Sequence, residues 1–241
     1  VTKPVGPDRP DPRPAPSGAR SQTLDRGIRV LEALHSAPAP MTIAELARAL
    51  DVHRSIVYRI LRTLEDHRLV SRTADGSYEL GLGLPVLAHG VSPGLQSAAL
   101  PVLSLLADGT GMTAFLVVPS EEEAITLLTV EPRRSVAHVA YAPGTRHPLG
   151  RGAPGIALLS AGPPRPGERP EVAVARERGW AHSRGEVVSG LSSVAAPLRT
   201  AGGAAAVSVV YLEGAGPVER DRAELGARVL AAAKEIMADL P

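Results

Sequence analysis

The sequence predicts an α+β fold in two parts, and three observations carry that reading. Three helical patterns follow one another between residues 23 and 66. A short hairpin signal comes directly after them. From residue 95 onward, strand-like apolar runs alternate with helical ones, the order expected of an antiparallel sheet with helices packed on it.

Residues 1–20 carry proline at 4, 7, 10, 12, 14 and 16 and almost no large apolar group. Nothing there offsets the entropy of ordering, so a disordered tail is expected. A basic arm reaching DNA is the alternative, weakened because Asp8 and Asp11 partly balance Lys3, Arg9 and Arg13. In the first helical pattern Leu24, Ile28, Leu31 and Leu34 recur after Thr23, which reads as the N-cap. Pro38 and Pro40 then break the chain. The second pattern opens with Thr42-Ile43-Ala44-Glu45, a capping box in which hydroxyl and carboxylate each satisfy a free backbone N–H. Asp51-Val52-His53 suits a tight turn. In the third pattern Val57, Ile60, Leu61 and Leu64 lie at i, i+3, i+4 and i+7. Leu69–Arg72 and Tyr78–Leu80 flank Asp75-Gly76, a hairpin signal. Three helices and a hairpin make a winged helix-turn-helix over residues 21–82.

The third helix carries the clearest chemistry. Ser55, Arg59 and Arg62 fall opposite its apolar stripe, with Arg54 and Tyr58 beside them. Arginine grips guanine edges or phosphate with two parallel hydrogen bonds, and serine bonds either. Ile56 suits contact with a thymine methyl, and a helix N-terminus attracts phosphate. A solvated arginine face is the plain alternative for an isolated helix. The capped helix before it and the hairpin after it favour double-stranded DNA. His53, and Arg72 and Ser77 on the hairpin, are further candidate contacts; for the last two a solvated hairpin tip is the alternative.

Composition narrows the rest. The net charge is only +1, but nine arginines face six acids between Arg20 and Arg72. There is no cysteine, which excludes disulfides, thiolate-bound zinc and a cysteine nucleophile. No G-x-S-x-G elbow, phosphate-binding glycine run or metal-spaced His/Asp/Glu cluster appears, and His138 and His147 stand apart. The expectation is a non-enzyme without a cofactor. No signal-peptide core opens the chain, and no apolar run approaches the ~20 residues of a membrane helix, so a cytoplasmic protein with no membrane partner is expected.

Pro85, Gly90, Pro93 and Gly94 limit residues 83–94 to a linker with at most two helical turns. The second domain, residues 95–241, starts with a helix at Leu95–Ala107. Strands are predicted at Met112–Val118, Ala124–Val130, Ser135–Ala140, Ser193–Pro197 and Ala204–Leu212. Helices are predicted at Pro154–Ser160, Glu171–Arg178 and Pro217–Leu240.

Leu24–Leu34, Thr42–Ala47, Arg54–Glu65 and Tyr78–Gly81 resemble the DNA-binding segments of IclR-type regulators. Pro143–Leu149 and the stretch from Glu186 through Gly190–Pro197 resemble signatures of that family's second domain. The resemblance runs from about Thr23 to the C-terminus. It implies a GAF-like effector-binding domain, a homodimer or homotetramer, and control of transcription by a small-molecule effector. On that alignment Leu149, Arg151, Gly152, Ala153, Ile156, Ser183, Leu191, Ser193 and Ser208 line one pocket. The family often offers small residues and a lysine after Pro-Leu, an acidic residue at position 183 and a cysteine at 193. Here Pro154 has no N–H to donate, Ile156 replaces the lysine, and both other positions are serine. A neutral or weakly polar effector, or none, is therefore expected rather than a small keto acid. The alternative reading is a constitutive DNA-binding regulator whose second domain only oligomerises, and ordinary strand serines are the alternative for Ser183, Ser193 and Ser208.

Overall fold

The first three helices begin where side chains can satisfy free backbone N–H groups. The computed structural model describes residues 21–134, 139–214 and 222–240. The tail of residues 1–20, residues 135–138 of the strand predicted at Ser135–Ala140, and the start of the helix predicted from Pro217 lie outside them. The chain divides into two compact units between Val91 and Ser92.

In the first unit α1 (Gln22–Ser36) is capped by Ser21, whose hydroxyl accepts from the Leu24 N–H at 3.4 Å. The predicted cap, Thr23, is already helical. The buried stripe is Gly27, Val30 and Leu34, while Leu24 and Ile28 are 63% and 49% exposed, so the apolar face is rotated from the predicted one. The capping box of α2 (Ile43–Leu50) forms as read, with Glu45 accepting from the Thr42 N–H at 2.8 Å. Asp51 ends it in the left-handed region, φ 54°. Helix α3 (Arg54–Asp66) buries Val57, Ile60 and Leu61 against α1 and α2. Each fully buried side chain of this kind contributes about 1.5–3 kcal/mol. Strands β1 (Val70–Arg72) and β2 (Tyr78–Leu80) pair antiparallel, and α4 (Gly83–His89) follows.

The second unit is a six-stranded antiparallel sheet between two pairs of helices. Its strands are β3 (Thr113–Ser120), β4 (Glu123–Val130), β5 (Arg146–Pro148), β6 (Ala181–Arg184), β7 (Leu191–Thr200) and β8 (Gly203–Leu212), in the order β5-β4-β3-β8-β7-β6. Strand alternation sorts the core. Leu116, Val194, Leu198, Val207 and Val209 pack with α5 (Pro93–Thr110) and α8 (Arg222–Ala238). Phe115, Val117, Ala195, Ala206 and Val210 pack with α6 (Gly152–Ser160) and α7 (Pro170–Arg178). Helix α5 starts two residues earlier than predicted because Pro93, at the first turn, needs no partner for an N–H it lacks. It ends at Gly111, φ 68°, rather than at Asp108-Gly109. The described end of the predicted third strand, Val139–Ala140, is not in a strand; the Val139 carbonyl accepts from the Thr113 hydroxyl at 2.5 Å. No helix among the described residues is long and apolar enough to cross a membrane.

Trp180, the only tryptophan of the chain, lies flat on α8 at Gly226. A Cβ at Gly226 would meet the indole at 2.4 Å, and Arg178 covers that ring at 3.6 Å from its centroid. Gly226→Ala should therefore cost about 1–3 kcal/mol through overpacking. Urea unfolding followed by tryptophan fluorescence checks this; an unchanged midpoint would show that the indole can shift freely.

Candidate functional site

The basic ridge of the first unit starts with an unusual cap. His53 Nδ1 accepts from the Ser55 N–H at 3.3 Å and lies 2.8 Å from the Ser55 hydroxyl, so this side chain begins α3. Beyond it Arg54, Ser55, Tyr58, Arg59 and Arg62 are exposed and Ile56 is half-buried. An open groove is bordered by Thr42 and Ala44 at the start of α2, by Arg54, Ser55 and Tyr58 of α3, and by Gly76 at the hairpin tip. A second groove, between α1 and α3, is bordered by Arg26, Leu24, Arg59 and Thr63. Helix α3 is thus a ridge with a basic group on each flank. Tyr58, one turn before Arg62 on the same exposed face, raises the pKa of the Arg62 guanidinium.

The hairpin residues divide. Arg72 is exposed, donates from Nε to the Gly76 carbonyl at 3.3 Å and lies 5.9 Å from the Tyr78 ring centroid. Ser77 is only 6% exposed, and its hydroxyl donates to Asp75 at 3.0 Å while its carbonyl accepts from Thr73. Ser77 closes the turn and does not face outward, which corrects its reading as a DNA contact.

In the second unit the chemistry gathers at the head of α6. Arg151 is its N-cap residue but supplies no side-chain cap. The Gly152 N–H donates to Glu186 Oε2 at 3.0 Å, and the Ala153 N–H donates to the Ser183 hydroxyl at 2.7 Å. Ser183 and Ser193 are paired at 2.9 Å. Arg169 grips Glu186 with both terminal nitrogens, at 2.8 and 3.1 Å, and reaches the Gly150 carbonyl at 2.8 Å. The Arg169 hydrogen bonds, then the Gly152 N–H, hold the Glu186 carboxyl below its ordinary range against the opposing effect of burial.

Beside this cluster is a cavity of about 30 Å³. Its walls include the Phe115 and Tyr141 rings, 4.6 Å apart, with Val187, Val188, Leu191 and Val210. Ser183, Ser193, Glu186 and His147 supply its polar atoms. Three of the predicted pocket residues, Ser183, Leu191 and Ser193, border this cavity; six do not. Ala153 and Ile156 are fully buried in the core under α6, and Leu149 packs against it. The Ser208 hydroxyl is buried on the Val194 carbonyl at 3.0 Å. Arg151 is turned to the Glu186 carbonyl, and Gly152 gives its N–H to the Glu186 carboxylate. Phe115, Tyr141, His147, Val187 and Val188 escaped sequence reasoning. The strand register, in which Phe115 opposes Ser208, is the signal that places Phe115 on the pocket face.

Residues 23–74 match the IclR helix-turn-helix domain, and residues 169–238 match the bacterial transcriptional regulator IclR C-terminal domain. The chain is 31% identical over 200 residues to the HTH-type transcriptional regulator Rv1719 of Mycobacterium tuberculosis, covering 74% of this chain and 77% of that one. The chain belongs to the IclR family. It is a transcriptional regulator with a DNA-binding helix-turn-helix. The probable transcriptional regulator SauR of Cupriavidus necator is 34% identical over 138 residues, a match that spans 56% of this chain and only 54% of that relative's length. An IclR homologue from Microbacterium hydrocarbonoxydans, solved in complex with 4-hydroxybenzoate, superposes with a TM-score of 0.75 at 25% identity, over 91% of this chain and 99% of that one. Helix α3 lies wholly within the matched helix-turn-helix segment.

The Glu186 clamp has a pH signature. Its carboxyl is held lower in the folded chain than when free, so the ionised form favours folding above pH 4.5. That contribution is lost as pH falls through the depressed folded value. Wild type should melt above Glu186→Gln at pH 6, with the gap narrowing steadily as the pH drops below 4.5. A gap that stays constant down to pH 3 would show that the charge contributes nothing.

Proposed function

We infer that the chain is a sequence-specific regulator that reads operator DNA with α3 and is controlled by a small uncharged effector in its second unit. The observation that carries the DNA half is the single groove shared by Arg54, Ser55 and Tyr58 with the α2 N-terminus and the hairpin tip. Arg59 and Arg62 extend the same ridge, His53 and Ile56 stand at its base, and Arg72 flanks it. A regulator that acts on double-stranded DNA is proposed to work in the cytoplasm. The effector half is supported by the cavity beside α6 and by the relative crystallised with 4-hydroxybenzoate. A carboxylate would need the N–H groups at the head of α6, and those are taken by Glu186 and Ser183, with Pro154 offering none. An uncharged effector meets no such competition. The small size of the cavity favours a second reading, in which the unit only oligomerises and DNA binding is constitutive. A thermal-shift screen against neutral metabolites separates the two readings.

Arg59→Ala and Arg62→Ala should each lose about 1–3 kcal/mol of specific binding if the side chain reads a base. Gel-shift titration of the folded variants on the operator measures this, and unchanged affinity for both would sink the recognition-helix assignment.

The regulator is proposed to act as a homodimer or homotetramer, because one winged helix contacts one half-site and two-fold pairing sets two of them a helical turn apart. Light scattering at micromolar concentration should return at least twice the 25.0 kDa chain mass. A monomer both free and on DNA would contradict the proposal.

A further inference from the structure

Most polar groups around the cavity are already engaged. Ser183 and Ser193 bond each other, Ser183 also accepts from Ala153, and Glu186 is held by Gly152 and Arg169. His147 differs. It is 4% exposed, and its Nδ1 donates to the Pro148 carbonyl at 3.2 Å. That bond fixes the proton on Nδ1 and leaves Nε2 as a bare acceptor. Nε2 is fully buried and has no hydrogen-bond partner among the described residues. A buried acceptor without a donor is costly, so it marks a place where a donor is wanted. Burial pushes the imidazole pKa down, which keeps the ring neutral and its lone pair free.

The surroundings say what kind of molecule brings that donor. The Phe115 and Tyr141 rings and the side chains of Val187, Val188 and Leu191 make an apolar wall. The one position suited to an anion, the head of α6, is occupied by the chain's own carboxylate, and Arg169 neutralises that carboxylate. We propose that the effector is an uncharged molecule with an apolar body and a hydroxyl group, and that this hydroxyl donates to His147 Nε2. The proposal rests on the effector-binding reading above and names its ligand class and anchor. A cavity of about 30 Å³ has room for ordered water but not for a ring. A ring-sized ligand therefore displaces part of the wall. Val187 and Val188 are the part that yields, being 40% and 44% exposed.

Phenol, toluene and benzoate test this on the full chain, by calorimetry and saturation-transfer NMR. Phenol should bind wild type about tenfold more tightly than toluene, the effect of one buried hydrogen bond, and benzoate should bind worst. His147→Leu should erase the gap between phenol and toluene. His147→Gln, whose amide oxygen restores an acceptor, should keep part of it, and thermal melts establish that both variants fold. Should the leucine variant fail to fold, the glutamine variant and the wild-type ranking still decide. A folded His147→Leu that keeps the phenol preference, or a wild type that prefers benzoate, overturns the proposal and leaves the effector reading standing. If none of the three binds wild type at millimolar concentration, the effector reading falls and the proposal with it.

Discussion

A helix that starts inside a protein presents N–H groups with no intrahelical partner, and α6 starts inside the second unit with Gly152 and Ala153 buried. Water does not serve buried groups of this kind cheaply, so the chain must supply acceptors. It does so from a single stretch. Ser183, on β6, takes the Ala153 N–H, and Glu186, just past that strand, takes the Gly152 N–H. Arg169, the residue before α7, neutralises Glu186 and ties it to the Gly150 carbonyl. One carboxylate and one hydroxyl thereby join α6, the start of α7 and the edge strand β6. The serine pair Ser183–Ser193 extends the network onto β7. The cavity exists where it does because these groups fix its polar end.

Much of this was legible in the chain, for identifiable reasons. The capping box fixed α2 because Thr42 and Glu45 act locally, without needing the rest of the fold. The 3.6-residue stripe of α3 and the Asp-Gly turn of the hairpin are likewise short-range signals. Strands β5 and β6 were not legible. Each is three or four residues long and lies at a sheet edge, too short to show alternation. The face of α1 was misread because Leu24 and Ile28 have the right spacing for a core, while Gly27, Val30 and Leu34 are the residues that meet the other helices.

The serines show the limit more sharply. Ser77, Ser193 and Ser208 have the same side chain, and only Ser77 has its partner close by in sequence. Ser77 turns inward because Asp75 sits two residues before it in the turn. Ser208 is consumed by a carbonyl of the neighbouring strand, whereas Ser193 meets a second hydroxyl across β6–β7 and remains at the cavity. Their roles follow from register, which is a tertiary fact. His147 escaped for the same reason: its burial depends on β5 pairing with β4, which places it opposite Ala124.

The same network bears on how a ligand would be felt. Small-molecule sites usually enclose about 300–1,000 Å³, and this cavity encloses about 30 Å³. A ligand can shift an equilibrium only by the difference in its affinity for two states. A filled state would therefore have to differ from this one, and Gly185 and Gly190, both at positive φ, bracket the segment where such a difference would fall. That segment is not free at its ends. The Gly185 N–H bonds the Leu191 carbonyl, the Gly190 carbonyl bonds the Glu213 N–H, and Glu186 is locked to Arg169 and α6. Its middle, Val187 and Val188, moves with least loss of hydrogen bonding, since only the Val188 carbonyl is bonded within it, to the Leu191 N–H. Any larger movement must pull on the Glu186 carboxylate. Small ligands would then be accommodated by the two valines alone, and large ones would loosen the head of α6.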